Sequence, residues 1–369
     1  MSKILLLIIV VLIISYIIVR TRPKNQLYKE YDYNIVAGFL KTWGGHHLSH
    51  LLFLKDKDLF WAQDQQVLFS YRKVANKMIV LGDPIGNEAL FSAAIKEFIE
   101  YCRSSGNKPV FYQVSPMYMS LYHEYGFRFL KIGEEAKVQL NEFSLEGKKV
   151  QKLRTTKNKF LREGYQFTVV LPPYSNRFFN ELRDVSTSWL EDRQEKGYSV
   201  GFFNEEYVSA FPVAVLRNAE GNLLAFATLA YDYQHNGRIS IDLMRYNQNS
   251  PNGTMDMVFI SSFLWAKEEG FTTCSIGMSP LSNVGNSPYS PFKEKLCKYM
   301  FQHGGKFYSF KGLRAYKNKF ASVWEPRYVA YKQTHFLLIL MQITYLVHQQ
   351  PLKRKISQMR IPLLTRKVG

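Results

Sequence analysis

The sequence predicts two similar α+β domains in tandem, joined by a basic amphipathic helix and preceded by one apolar membrane anchor. Three observations carry this. An uncharged run, Ile4 to Val19, opens the chain. Twice afterwards, strand-like runs lead through a glycine-containing turn into an amphipathic helix and a further strand. Between the two stretches, Lys148, Lys149, Lys152, Arg154, Lys157, Lys159 and Arg162 follow one another with no acid before Glu163. The halves share this pattern without visible sequence homology.

Sixteen apolar residues span about 24 Å as helix, slightly less than a bilayer core, and Lys3 and Arg20 can snorkel to make up the difference. Arg20, Arg22, Lys24 and Lys29 all follow the run. The positive-inside bias then places the remainder in the cytoplasm, on a single-pass anchor in the cell membrane. A cleaved signal peptide competes poorly, because one Lys3 is a meagre basic region and no small-x-small site follows.

In the first half, Leu51–Leu54, Leu59–Ala62, Val67–Tyr71 and Met78–Leu81 read as strands separated by turn residues. A helix is predicted over Asn87 to Arg103, with Phe91, Ala94, Ile95, Phe98 and Cys102 on its apolar stripe. A strand at Val110–Val114 and a short helix from Pro116 to Tyr125 follow. The basic helix covers Gly147 to Glu163, with Val150, Leu153, Phe160 and Leu161 as its stripe. The second half offers a helix from Ser175 to about Lys196 and a hairpin, Asn222–Tyr233 and Arg238–Tyr246, turning at His235-Asn236-Gly237. A helix from Thr254 to Gly270 and a strand at Thr272–Ile276 complete it. The boundaries are 1–28 for anchor and link, 29–146 and 164–334 for the domains, 147–163 for the linker helix and 335–369 for an apolar, then basic, tail.

Composition narrows the class of function. Hydrophobic residues make up 46% and aromatics 15%, which excludes a disordered chain. The net charge of +18 points to acidic partners, nucleic acid or an anionic membrane. Cys102, Cys274 and Cys297 are widely spaced, so neither a disulfide framework nor a zinc site is supported. The segment Ser309 to Phe320 interleaves Lys311, Arg314, Lys317 and Lys319 with aromatics, and Trp324-Glu325-Pro326-Arg327-Tyr328 follows. Such a pattern suits a polyanion, whether phosphate, lipid headgroup or RNA; a basic loop packed on a core tryptophan has equal claim.

Several further runs occur in a fixed order. They are Leu81-Gly82-Asp83-Pro84-Ile85-Gly86, Tyr198-Ser199-Val200-Gly201, Asp242-Leu243-Met244-Arg245-Tyr246 and Pro251-Asn252-Gly253-Thr254-Met255-Asp256. The small-residue loop Gly277 to Gly285 and the Phe310–Tyr328 block complete the series. Over about residues 35–335 the chain resembles the catalytic part of the aminoacyl-phosphatidylglycerol synthases, the multiple peptide resistance factors. The resemblance implies tandem GNAT-like domains. It also implies transfer of a lysyl or alanyl group from aminoacyl-tRNA to phosphatidylglycerol at the membrane, with no cofactor. Family members carry a large flippase domain ahead of this part, so any flipping would fall to a separate flippase.

The resemblance marks Asp242, Arg245 and Lys317 as the important Asp, Arg and Lys. Asp242 is assigned to the substrate amine or hydroxyl, Arg245 to phosphate, and Lys317 to the developing oxyanion or the tRNA terminus. Lys311, Arg314, Ser282, Asn283 and His47 are candidate substrate-binding residues, His47 being one of three neighbouring histidines with His46 and His50. Strict strand alternation sends Asp242 and Arg245 to opposite faces, so they share a site only if the strand bulges between them. An internal Asp242–Arg245 ion pair is the plain alternative. Asp83 reads as turn chemistry and Glu325 as the holder of a nearby arginine. Two other functions compete: an acyl-CoA N-acyltransferase, which would want a glycine-rich pyrophosphate loop where Pro251-Asn252-Gly253 stands, and a non-catalytic, membrane-tethered binder of anionic lipid.

Overall fold

The computed structural model describes residues 32–231, 237–303 and 309–349. The first half supplies strands β1 (Asp58–Ala62), β2 (Val67–Val74), β3 (Lys77–Leu81), β4 (Ile85–Gly86), β5 (Lys108–Val114) and β6 (Arg128–Gln139). The second supplies β7 (Gln166–Val170), β8 (Val213–Arg217), β9 (Leu223–Tyr231), β10 (Arg238–Tyr246), β11 (Thr273–Pro280) and β12 (Val323–Tyr331). All twelve belong to one sheet, ordered β1-β2-β3-β5-β12-β6-β11-β10-β9-β8-β7, with β4 paired to β2. Most pairs are antiparallel; β3 with β5 and β10 with β11 are parallel.

Ten α-helices flank the sheet among the described residues: α1 (Tyr33–Trp43), α2 (Phe91–Ser104), α3 (Met119–Glu124), α4 (Gln151–Arg162) and α5 (Asn176–Leu190), then α6 (Glu205–Val208), α7 (Thr254–Glu268), α8 (Phe292–His303), α9 (Phe310–Lys317) and α10 (Phe336–His348). Alternation along the strands sorts the core into layers. Ile79 and Leu81 of β3 and Val213 and Val215 of β8 join one shared core with α1, α5 and α10. On the other side, Met78 and Val80 pack under α2, and Ala214 and Leu216 lie with Phe160 of α4 and Phe263 of α7. Strands covered on both faces read as unbroken apolar runs, as Met78–Leu81 does.

The halves are interlocked. Strand β12, from the second half, lies between β5 and β6 of the first and pairs antiparallel with both. The shared core runs under both halves.

Local differences from expectation have local causes. Leu51–Leu54 is not a strand but part of a 3-10 helix, Ser49–Leu54, buried throughout; a short apolar run cannot distinguish the two. Helix α5 stops at Leu190, because Glu191 takes a positive φ of 46° and turns the chain back toward β10. Leu161 of α4 is exposed rather than on the buried stripe, which is Leu153 and Phe160. No strand is predicted from sequence at β6, β7, β8 or β12: β6 and β12 mix charge with apolar side chains, and β7 and β8 are runs of only five residues. The apolar run of the tail forms α10, which buries Ile339, Ile343 and Leu346 in the shared core. Ile4–Val19, His235-Asn236 and the basic residues from Lys353 onward lie outside the described residues. Among those described, no helix is long and apolar enough to cross a membrane.

Candidate active site

The parallel strands β10 and β11 pair only from Arg238 to Ser240 against Thr273 to Ser275. Just beyond, β10 shifts register against β9 between Ile241 and Met244. Strand β11 shifts against β6 between Ser275 and Met278, where Gly277 has φ of 80°. Both strands thus bend away at the same level, and a cleft opens between them. The bulge in β10 also reverses alternation. Leu243 joins the shared core, while Ile241 and Met244 pack on the other layer. Asp242, Leu243 and Arg245 therefore sit on one face, as the shared-site expectation required.

Asp242 is held by three groups. Tyr207 Oη donates to Oδ2 at 2.5 Å, the Gly201 N–H donates to Oδ1 at 3.4 Å, and His50 Nε2 stands 3.7 Å from Oδ2. A Cβ at Gly201 would overlap this carboxylate, so the close approach requires glycine. Burial raises the Asp242 pKa, but His50 and the hydrogen bonds from Tyr207 and Gly201 outweigh it and hold the group below the ordinary carboxylate range.

Opposite, α9 carries Lys317 into the cleft. Its Nζ donates to the Met278 carbonyl at 3.0 Å and lies where a Cβ at Gly277 would meet it at 3.4 Å. The side chain is 7% exposed, whereas Lys311 and Lys319 of the same basic segment face solvent. Burial pulls the Lys317 pKa down to about 7, against the fields of Glu135 and Asp242, which raise it. Asp242 thus lies near enough for its charge to act on the Lys317 amine.

Three histidines precede the first strand, and geometry separates them. His46 is structural: its Nδ1 accepts from the Leu48 N–H at 3.2 Å and its Nε2 donates to the Asp83 carbonyl at 3.0 Å. His47 Nε2 lies 3.7 Å from Glu135 and, like His50 Nε2, makes no hydrogen bond. Burial first, and then the nearby cations Arg327 and Lys137, push the His47 pKa well down and hold the ring neutral. Glu135 is fully buried, accepting from Ser275 Oγ at 2.5 Å and paired with Arg327. Glu325 holds Arg327 at 3.3 Å and also pairs with Lys137. Asp83 accepts from the Ser115 N–H and Tyr122 Oη, and so braces its turn.

Arg245 forms no ion pair with Asp242. It donates to Glu195 at 2.7 Å and to the Met244 carbonyl at 3.0 Å, and its guanidinium lies 4.0 Å from the Trp189 ring centroid. Only its Nε, among these donors, has no partner. A second cluster gathers on Glu134. Asn283 Nδ2 donates to it at 2.6 Å, Arg314 at 2.7 Å and Lys131 at 2.8 Å. Arg314 also reaches Ser282 Oγ at 3.4 Å and stacks on Trp324. Lys311 is exposed at the start of α9. Sequence reasoning did not find Tyr207, Glu134, Glu135, Glu195 or Trp189. The adjacent acids Glu134 and Glu135 inside a strand were the one available signal; Tyr207 gave none.

A family model described as phosphatidylglycerol lysyltransferase, C-terminal, matches residues 37–331. The chain belongs to this family. A phosphatidylglycerol lysyltransferase of Bacillus subtilis strain 168 is 43% identical over 322 residues, which are 87% of this chain and 37% of that protein. One from Staphylococcus aureus strain COL is 41% identical over 298 residues, 81% of this chain and 35% of that protein. The chain thus spans little more than a third of the length of these family members. The structure of L-PGS from Bacillus licheniformis is 42% identical, with TM-score 0.78, covering 88% of this chain and 100% of that one. FemX, at 11% identity and TM-score 0.52 over 87% of this chain and 99% of that one, shares the mixed α/β fold alone.

Proposed function

We propose that this chain transfers an aminoacyl group, lysyl or alanyl, from aminoacyl-tRNA to the glycerol hydroxyl of phosphatidylglycerol and so makes the membrane less anionic. One observation carries the proposal: family membership over residues 37–331 coincides with a cleft whose two lips hold Asp242 and Lys317. We read the sheet as two GNAT-like units that exchange β12, with the chain held at the cell membrane, its catalytic part cytoplasmic, on the Ile4–Val19 anchor.

The reaction is a transesterification. The lipid hydroxyl oxygen bonds to the ester carbonyl carbon, and the bond to the terminal ribose oxygen breaks. The hydroxyl proton passes to the departing ribose oxygen. Ionised Asp242 takes the α-ammonium of the aminoacyl group. Lys317, with a pKa of about 7, populates both forms near neutrality. Its amine accepts the hydroxyl proton and its ammonium faces the developing oxyanion. Arg245 offers its Nε, and Trp189 and Glu195 fix its plane. We read His47, the Glu134 cluster with Ser282, Asn283 and Arg314, and exposed Lys311 as substrate contacts, and the exposed cations of α4 as meeting the tRNA backbone.

The acyl-CoA alternative is disfavoured by the loop before α7. Pro251-Asn252-Gly253 lacks the repeated glycines of a pyrophosphate loop, and its one glycine serves contact with α4, since a Cβ there would lie 2.9 Å from Thr156 and 3.5 Å from Phe160. The test is extraction of lipids from cells expressing the chain, with mass analysis for aminoacylated phosphatidylglycerol, beside Asp242→Asn. Loss of product by roughly 10²-fold with the fold intact is expected. Undiminished product from that variant refutes the assignment, and lipid binding without any product supports the non-catalytic alternative.

A further inference from the structure

Twelve large hydrophobic side chains are exposed among the described residues, and four of them fall between Tyr289 and Met300. Tyr289, Phe292 and Tyr299 are 94%, 77% and 61% exposed. Scattered apolar residues need no explanation, but a local concentration marks a contact surface.

Helical spacing sorts α8 into two faces. Cys297 is buried and Phe301 packs against the shared core. Opposite them Phe292, Lys295, Tyr299 and His303 recur at three- and four-residue steps, all exposed. The Tyr299 and His303 rings stack at 4.3 Å. Lys293 turns inward, donating to Tyr331 Oη at 2.9 Å and lying 5.7 Å from the Phe336 ring centroid. The start of α10, with exposed Leu337, therefore adjoins α8. Phe301 and Phe310 bring α9 alongside, with Lys311 exposed.

Charge on this face has one sign. Lys295 and Lys298 carry no ion pair among the described residues. Glu294, the one acid of α8, acts on Cys297 and Tyr328 at the inner side. Rings at headgroup depth beside unpaired lysines are what an anionic lipid surface selects. We propose that the outer face of α8, with Tyr289 before it and Leu337 beside it, docks on an anionic bilayer and holds the cleft against it. The connection is direct: α8 lies in the chain between β11, which carries Gly277, and α9, which carries Lys317. The proposal rests on the acceptor being a membrane lipid, yet it is tested separately from transfer.

The full chain is reconstituted in phosphatidylglycerol–phosphatidylcholine vesicles as Tyr299→Cys bearing a polarity-sensitive fluorophore. The three native cysteines are buried and stay unlabelled. Emission should shift to the blue and be quenched by brominated lipid, more weakly in phosphatidylcholine alone. The same label at Leu171→Cys, a position 63% exposed, should report water. In parallel, the Phe292→Ser, Tyr299→Ser double variant should lose about tenfold or more of its turnover on bilayer lipid, the scale of one apolar side chain kept out of contact. Turnover on short-chain, monomeric phosphatidylglycerol should be unchanged. A water-like label in bilayers that support transfer overturns the proposal. So does a blue shift without lipid accompanied by dimer sedimentation, which assigns the face to a second copy. A label that inserts while no variant or parent forms aminoacyl-lipid defeats the transfer reading and leaves docking standing.

Discussion

Replacing Lys317 by methionine separates stability from activity in opposite directions. Lys317 is 7% exposed, and burial lowers its pKa from 10.5 to about 7 even though Glu135 and Asp242 pull it upward. The folded chain therefore favours the neutral amine, whereas the unfolded chain keeps the proton up to its own higher pKa. Between those values the unfolded state binds more protons, so this group's contribution to stability rises with pH. At about 1.4 kcal/mol per tenfold change, the folding penalty is about 5 kcal/mol below pH 7, about 3 kcal/mol at pH 8 and under about 1 kcal/mol at pH 10. Methionine fills similar space without charge and gives up one hydrogen bond, to the Met278 carbonyl, worth about 1 kcal/mol. Lys317→Met should melt higher than the parent by roughly 10 °C at pH 6, and the gain should vanish toward pH 10. Aminoacyl-lipid formation should fall by about 10²-fold or more at every pH. Melting in detergent from pH 6 to 10, beside turnover, reads both quantities. An equal shift at both ends of the range, or a lower melting temperature at pH 6, refutes the reasoning.

Gly201→Ala should cut turnover more than stability, because the new Cβ displaces the Asp242 carboxylate from Tyr207; intact turnover in a folded variant would separate that carboxylate's position from catalysis. Arg245→Lys loses its stacking on Trp189 and the fork shared by Glu195 and the Met244 carbonyl. Denaturant melts should show a loss of about 1–3 kcal/mol, with reduced turnover; an unchanged variant would leave Arg245 idle. Lys152→Glu with Lys159→Glu changes two exposed side chains of α4, so melting should move little. The KM for aminoacyl-tRNA should rise more than that for lipid, and transfer should weaken with salt; equal effects on both substrates would remove α4 from tRNA binding.

Elements with a strong period were legible from sequence. The stripe Phe91, Ala94, Ile95, Phe98 and Cys102 is buried as spacing required, since one helix face suffices to define it. Leu51–Leu54 was not legible, because its burial by Phe211 and Val36 comes from distant parts of the chain. The same divide runs through the site. Asp242 stands between Ile241 and Leu243, a carboxylate in an otherwise apolar strand that local sequence displays. Tyr207, which holds it, lies 35 positions earlier in an unremarkable segment.

Composition, period and local motif by themselves determined the α+β class and the basic helix, because each is written in neighbouring residues; the candidates Asp242, Arg245 and Lys317 came from the resemblance that the ordered motifs carry. Tertiary structure alone decided the rest. It inserted β12 between β5 and β6, bulged β10 so that Asp242 and Arg245 share a face, gave Arg245 to Glu195 rather than to Asp242, and buried Lys317. Each of these follows from contacts between residues far apart in sequence, where strand register, burial and electric field are set by partners that no local pattern names.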